Sequence, residues 1–263
     1  MTVPVLSQRP PEPDGSPTTL CLLGGPFIVK NGQRLEIPEG SKRLLIFVAL
    51  AGGRVNRRHA AGTLWPYGDD DRAAGNLRSA LWRLRGAGID ILHSDKCGLY
   101  LSPDSEVDIA QLAAWATRVI EGTLNRSDLD FVDINLEGAH LLPGWYEDWV
   151  VFERERLRQR LLHAMETLAR RLIDCQHFAG AVEAAITAVS IDPLRESAQR
   201  VLMEAHLAEG NVIEARRVFG KYRDLVNDEL GVMPSRALAD IFRLTKDNRD
   251  RQMERVAAAT PRF

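Results

Sequence analysis

From about residue 145 to residue 245 the sequence keeps a helical period almost throughout, and within that stretch it repeats itself at an offset of 34 residues. Leu168 falls on Leu202, Phe178 on Val212 and Ala181 on Ala215. Each copy consists of two helices around a short break, Cys175-Gln176-His177 in the first and Glu209-Gly210-Asn211 in the second. A helical hairpin of this size cannot bury its apolar face alone, so successive copies must stack and share one core. Alanines at 181 and 215 let paired helices approach closely. The spacing predicts helices over 145–174, 178–190, 193–209, 212–229 and 235–245, with Asp192 as a cap and Pro193 at the first helical position.

This period is the tetratricopeptide one; with two clear copies, an unrelated helical bundle stays open on spacing alone. The first hundred residues are patterned differently. Residues 1–17 hold five prolines among few apolar neighbours and read as a disordered leader. Short β-like runs follow at 20–23, 27–29 and 34–37, parted by Gly24-Gly25-Pro26 and by the hairpin signal Asn31-Gly32. Ser41 is placed to cap a helix over 42–50, which Gly52-Gly53 stops. Asn56 caps a short helix ended by Pro66, and Asp71 opens a third that reaches about Gly86. Strand-like residues 89–92 and 99–101 flank a polar loop at 93–98. A small sheet, three helices and a terminal hairpin in about 85 residues make a winged helix, its last two helices forming the helix-turn-helix. Asp108 then caps a helix carrying Leu112, Trp115 and Val119, with Gln111 placed to close a capping box, and residues 122–144 are less regular. The predicted fold class is an α+β winged helix-turn-helix followed by an all-α tetratricopeptide-like repeat domain. The expected parts are a leader over 1–17, a DNA-binding domain over 18–103, a helical-repeat domain over 108–246 and a flexible tail over 247–263.

Composition narrows the class further. No run approaches the roughly 20 apolar residues of a membrane span, and the first 15 residues lack the basic head and apolar stretch of a secretory signal. Cysteines 21, 97 and 175 are far apart and match no pairing or zinc motif, which fits a reducing cytosol. The formal net charge of −2 conceals an asymmetry: residues 41–98 carry ten Lys/Arg and five Asp/Glu, residues 111–263 carry 21 and 24. A basic module joined to a slightly acidic one suits nucleic-acid binding coupled to protein contact, although Arg-rich helical surfaces are also commonplace.

Chemistry-bearing residues concentrate on the predicted third helix. Leu77, Ala80, Leu81 and Leu84 share one side, leaving Arg72, Gly75, Ser79, Trp82 and Arg83 on the other. In a major groove Arg forks onto guanine and Asn pairs with adenine. Arg72, Asn76, Ser79 and Arg83 are the candidates for reading base edges. Lys42, Arg43, Arg54, Arg57, Arg58, Arg78, Arg85, His93 and Lys96 are the candidates for the phosphate backbone, Lys42 and Arg43 as the opening residues of their helix. Trp82 either packs on a sugar or thymine methyl or seals against the wing. The triplet Asp69-Asp70-Asp71 would repel phosphates but suits a helix start, where one of them can cap. Gly75 either permits close approach of DNA or is an accommodated imperfection. Trp145, Trp149 and Phe152 lie near one helix side, where they pack inward or dock a partner or the winged helix. His93 and Cys97 have no third ligand in the pattern, the other histidines are dispersed, and Gly24-Gly25 lacks a following Gly-Lys-Ser/Thr. No catalytic residue, cofactor or metal is expected.

The order of motifs resembles the Streptomyces antibiotic regulatory protein family over roughly residues 18–245. Its landmarks are Leu23-Gly24-Gly25-Pro26-Phe27, Leu64-Trp65-Pro66, Asn76-Leu77-Arg78 with Leu81 and Leu84-Arg85, and Gly98-Leu99-Tyr100-Leu101. Further along come Leu142-Pro143-Gly144-Trp145, Glu153-Arg154-Glu155-Arg156-Leu157, Asp192-Pro193-Leu194-Arg195-Glu196, and Glu229-Leu230-Gly231-Val232 before Pro234-Ser235. The resemblance implies a winged helix joined to a bacterial transcriptional activator domain. It further implies a cytoplasmic, nucleoid-associated activator of a secondary-metabolite or pathway-specific gene cluster. Such a protein binds direct repeats in double-stranded promoter DNA near the −35 region, as a side-by-side homodimer on DNA, and recruits RNA polymerase through its sigma factor and other subunits. On this resemblance the recognition helix falls on residues 71–85 and the wing on 89–101; Gly75 and the very short wing depart from the family pattern. It resembles the short members, in which no sensor, nucleotide-hydrolysing or receiver domain follows. A promoter-blocking repressor, or an adaptor whose winged helix no longer binds DNA, are the alternatives.

Overall fold

Residues 44–50 are apolar without interruption, and every one of them is buried. A helix that is apolar all round needs neighbours on every side, and the rest of the first unit supplies them. The computed structural model describes residues 18–124 and 140–242. Of these, residues 18–118, 124 and 140–159 form one unit, and residues 119–123 and 160–242 form the other. In chain order the first unit contains β1 (Thr18–Cys21), β2 (Phe27–Lys30), β3 (Gln33–Glu36), α1 (Glu39–Leu50), β4 (Arg54–Asn56), α2 (Arg57–Leu64), α3 (Asp70–Gly86), β5 (Leu92–Ser94), β6 (Gly98–Leu101) and β7 (Ser105–Val107). Four strands lie in the order β3-β2-β1-β7, antiparallel except for the parallel β1–β7 pair, and three more lie in the order β4-β6-β5. Helices α1, α2 and α3 pack on one another. The α+β winged-helix class read from the sequence is the class observed.

Several local expectations are corrected. Ser41 does not cap α1, which begins two residues earlier at Glu39; its hydroxyl is buried and donates to the Ala80 carbonyl of α3 at 2.8 Å. Lys42 and Arg43 therefore do not open the helix. Asp69 caps α3 by accepting from the Arg72 amide at 2.8 Å, so the helix starts at Asp70 rather than Asp71. The first wing strand is Leu92–Ser94, and the loop shrinks to 95–97, because Ser94 pairs with Leu99 and His93 with Tyr100. β4 and β7, too short to show a period, both pair. Asn56 caps α2 as expected, accepting from the amides of Arg58 and His59.

Helix α4 (Asp108–Glu121) starts at a buried carboxylate. Asp108 accepts from the amides of Leu22 and Leu23 beyond β1, and from Ile109. Gln111 bonds Glu106 instead, so the expected capping box does not form. Residues 140–142 continue the β1 end: the Leu142 amide donates to Leu22, the Gly24 amide to His140, and Leu23 bridges Leu141. Helix α5 (Asp148–Asp174) begins three residues later than expected. Within its first turns Arg154 donates to the carbonyls of Leu141, Leu142 and Trp145 at 2.8–3.0 Å. Trp149 sets its ring edge-on to Phe47 of α1, centroids 5.3 Å apart, while Phe152 points to solvent. The division between units falls inside α5.

In the second unit α6 (Phe178–Ile191), α7 (Glu196–Glu209), α8 (Val212–Leu230) and the short α9 (Arg236–Ala239) follow the C-terminal part of α5. Helix α7 packs against both α6 and α8. The offset of 34 recurs in the backbone. Gln176 (φ 63) and Gly210 (φ 94) both take the left-handed conformation. The amides of His177 and Asn211 then donate to Leu172 and His206 in turn, and those of Gln176 and Gly210 to Ile173 and Leu207. Leu168, Leu202, Ala181 and Ala215 are all buried. This is an all-α, tetratricopeptide-like repeat. Asp192-Pro193 does not open α7: Arg195 precedes it, its guanidinium turned to buried Glu166 at 2.7 Å, where the Ser197 hydroxyl also donates. Ser235 caps α9, which ends at Ala239 with a turn at Asp240 instead of running on unbroken as expected over 235–245; residues 243–245 lie outside the described residues. The leader, the tail and most of 122–144 also lie outside them.

Candidate nucleic-acid interface

The local sequence gives α3 its geometry. Asp70 and Asp71 in the first turn and Arg83 and Arg85 in the last complement the helix dipole. Ala73, Leu77, Ala80, Leu81 and Leu84 are buried. At 100° per residue, Gly75, Ser79, Trp82 and Gly86 then occupy the middle of the exposed arc. Arg72, Asn76 and Arg83 lie along one border of it, and Arg78 and Arg85 along the other. Arg72, Ser79, Arg78, Arg83 and Arg85 are exposed and Asn76 is half-buried. Trp82 is 75% exposed, so it does not seal against the wing.

Two of the arginines rest on their own protein. The Arg83 guanidinium lies over the first turn of α1, with Nη1 3.5 Å from the Gly40 oxygen. The Arg72 side chain folds back over Gly68, where an added Cβ would stand 3.2 Å from its Cδ. Three of the four base-reading candidates, Arg72, Asn76 and Arg83, thus share a border of α3, and Ser79 lies in the middle of the arc.

A second cluster forms where α2 begins beside the wing. The Arg57 amide donates to the Cys97 carbonyl at 3.0 Å, and β4 carries Arg54 alongside β6. Asp95 at the wing turn accepts from the amides of Cys97 and Gly98. Those bonds, from Gly98 and then Cys97, with Arg54 and Arg57 nearby, hold its carboxyl below the usual range. Arg54, Arg58 and Lys96 are exposed, Arg57 is half-buried, and the half-buried His93 ring leans on Tyr100. Lys42 and Arg43 are held in ion pairs: Lys42 with Glu39 at 2.6 Å and Arg43 with Glu147 at 3.2 Å. Sequence reasoning could not anticipate Glu147, because nothing local links residues 43 and 147. It set Trp82 on the outward side of the helix but left open whether the ring meets DNA or seals against the wing.

No group of three or more His, Cys, Asp or Glu able to hold a metal ion occurs among the described residues, and no described helix is long and apolar enough to cross a membrane. The three cysteines are free; burial pushes the Cys21 thiol up to about 12, with the Asp108 carboxylate adding to the rise.

Residues 135–244 match the bacterial transcriptional activator domain. The regulatory protein AfsR of Streptomyces griseus is 28% identical over 257 residues, covering 91% of this chain and 26% of that protein. AfsR of Streptomyces coelicolor is 26% identical over 224 residues, covering 81% of this chain and 22% of its own length. The chain thus spans about a quarter of the length of these curated relatives. The fold is shared with Mycobacterium tuberculosis EmbR, solved in complex with a low affinity phosphopeptide: TM-score 0.63 at 19% identity, over 89% of this chain and 65% of that one. The chain resembles the Streptomyces antibiotic regulatory proteins, with a winged-helix-like N-terminal region and a bacterial transcriptional activator domain. These curated relatives are named as regulatory proteins.

Proposed function

We propose that this chain, similar over most of its length to AfsR-type regulators, is a sequence-specific DNA-binding transcriptional activator of a bacterial secondary-metabolite or pathway-specific gene cluster. The carrying observation is the exposed arc of α3, bordered by arginines on both sides and free of carboxylates beyond its first turn. That arc enters the major groove of promoter DNA. Arg72, Asn76, Ser79 and Arg83 read base edges, and Arg83 leaves Gly40 to do so. Arg54, Arg57, Arg58 and Lys96 grip phosphate beside the wing, with His93 behind them, while Arg78 and Arg85 hold the strand along the opposite border of α3. Lys42 and Arg43 reach phosphate only by giving up their carboxylates. Residues 18–103 act as the DNA-binding domain. Residues 108–246 arrange a neighbouring copy on direct repeats near the −35 region and recruit RNA polymerase through sigma and other subunits. The site of action is the cytoplasm, on the nucleoid. Similarity to proteins named as regulators supports the coarse role; the operator and polymerase contacts are our reading.

The test titrates the full chain with random and promoter duplexes across salt. Each phosphate contact adds about 0.9 to the slope of log affinity against log salt. Arg83→Ala costs about 1–3 kcal/mol at the preferred site and relaxes discrimination, whereas Arg57→Ala weakens all duplexes alike. Equal, sequence-independent losses for both would remove Arg83 from base reading. A folded chain that binds no duplex would leave an adaptor. Transcription with purified polymerase then separates activation from promoter blocking.

A further inference from the structure

The exposed arc of α3 has arginines at its borders and an indole at its centre. Trp82 is three-quarters exposed, in a helix whose other large apolar side chains, Leu77, Leu81 and Leu84, are buried. Its neighbours along the stripe are Gly75, Ser79 and Gly86. Neither glycine is demanded by packing: a Cβ on Gly75 would meet only Arg78 Nη2, at 4.0 Å, and one on Gly86 would meet nothing within 4 Å. The result is a low surface from which one aromatic ring stands out, with Arg72 and Arg83 along one border and Arg78 and Arg85 along the other.

We infer that Trp82 is a specificity-determining residue that reads the C5-methyl groups of thymines in the major groove; this rests on the proposed entry of α3 into that groove. Among base-pair edges the thymine methyl is the one apolar group exposed there. An indole ring gains little from the oxygen and nitrogen acceptors of a G·C pair but removes a methyl and its own face from water together. Arginines at the borders cannot supply that contact, and the bare glycines let the helix sink until the ring touches the base edge. The preferred operator therefore carries one or two thymines under the centre of the helix.

The experiment selects the tightest duplex from a randomised pool with the full chain, then replaces its thymines singly by deoxyuridine, which removes the methyl and leaves the pairing edge unchanged. At the thymines under Trp82 each replacement weakens binding about fourfold, the worth of one buried methyl. In Trp82→Ala the thymine and uracil duplexes bind equally. Trp82 is exposed, so its truncation leaves the core intact, and a circular dichroism spectrum checks that. A selected site lacking central thymines, or a thymine-to-uracil ratio that Trp82→Ala leaves unchanged, overturns the role of Trp82 while groove entry stands. Absence of any sequence-selective binding overturns groove entry and the Trp82 role with it.

Discussion

Asp108 is 3% exposed, and its carboxylate accepts from three backbone amides. Burial outweighs those bonds, given by Leu23, Leu22 and Ile109, and pushes its pKa up to about 6. An unfolded aspartate titrates near 3.9. Between those values the folded chain binds the proton more tightly than the unfolded one, so the stability of the first unit falls as pH rises from about 4 to about 6 and the loss is complete above that window. That window corresponds to about 3 kcal/mol at most. Urea midpoints at pH 4, 5, 6 and 7 measure it, and Asp108→Asn flattens the dependence at a lower overall stability, its amide facing the Ile109 N–H. A slope that survives the substitution would belong to another group. Single residues were legible in the sequence where their partners are close along the chain. Asn56 announces its cap because the amides it accepts are two and three residues on. Ser41 carries the same capping chemistry yet spends its hydroxyl on Ala80, 39 residues away, where no local pattern points. Asp108 likewise reads as a cap and serves as a tie to Leu22 and Leu23.

At the scale of elements, α3 and the repeat helices declare themselves through their periods, whereas β4 and β7, three residues each, exist only through pairing. The two turns of the repeat make an internal experiment. Gly210 and Gln176 hold the same left-handed position, and a Cβ at Gly210 would meet nothing within 4 Å, so the cost of a side chain there is backbone strain alone. Gly210→Ala destabilises the second unit by about 1–2 kcal/mol, while Gln176→Gly stabilises it by up to about 1 kcal/mol. Denaturation followed by amide exchange on α6 and α7 reads both; a neutral Gly210→Ala would mean that the turn relaxes. Gly75 poses the opposite case, a glycine in a helix with ordinary dihedrals and open space beside it. Gly75→Ala raises stability by about 1 kcal/mol. If DNA approaches the glycine closely, the same substitution lowers duplex affinity, so stability and binding move in opposite directions. Unchanged affinity would make Gly75 an accommodated imperfection.

Across the whole molecule, the sequence places a break near residue 103 because short strands give way there to a helical period. Contacts run across that position. β7 pairs with β1, Asp108 ties the chain beyond β1, residues 140–142 extend its end, and Trp149 covers Phe47 of α1. None of these contacts is local, and Trp149 sits in a helix whose amphipathic pattern alone cannot say what its apolar side meets. A fragment of residues 18–103 therefore loses the parallel strand, leaves the Leu22 and Leu23 amides without their carboxylate, and exposes the Phe47 side of α1. Phe47 is otherwise 7% exposed, and uncovering an aromatic of that size costs on the order of 2 kcal/mol, with a further 1–3 kcal/mol for each buried amide that water does not reach. A fragment of residues 18–159 keeps all of these contacts. Thermal unfolding by circular dichroism separates the two: the longer fragment melts cooperatively, and the shorter melts at least several degrees lower or associates through its bared helix. Equal melting temperatures would show that residues 104–159 lie on the winged helix without supporting it. DNA binding by the longer fragment then isolates what the helical repeat contributes, because any further gain in affinity on direct repeats with the full chain comes from contacts between neighbouring copies rather than from a better-folded reader.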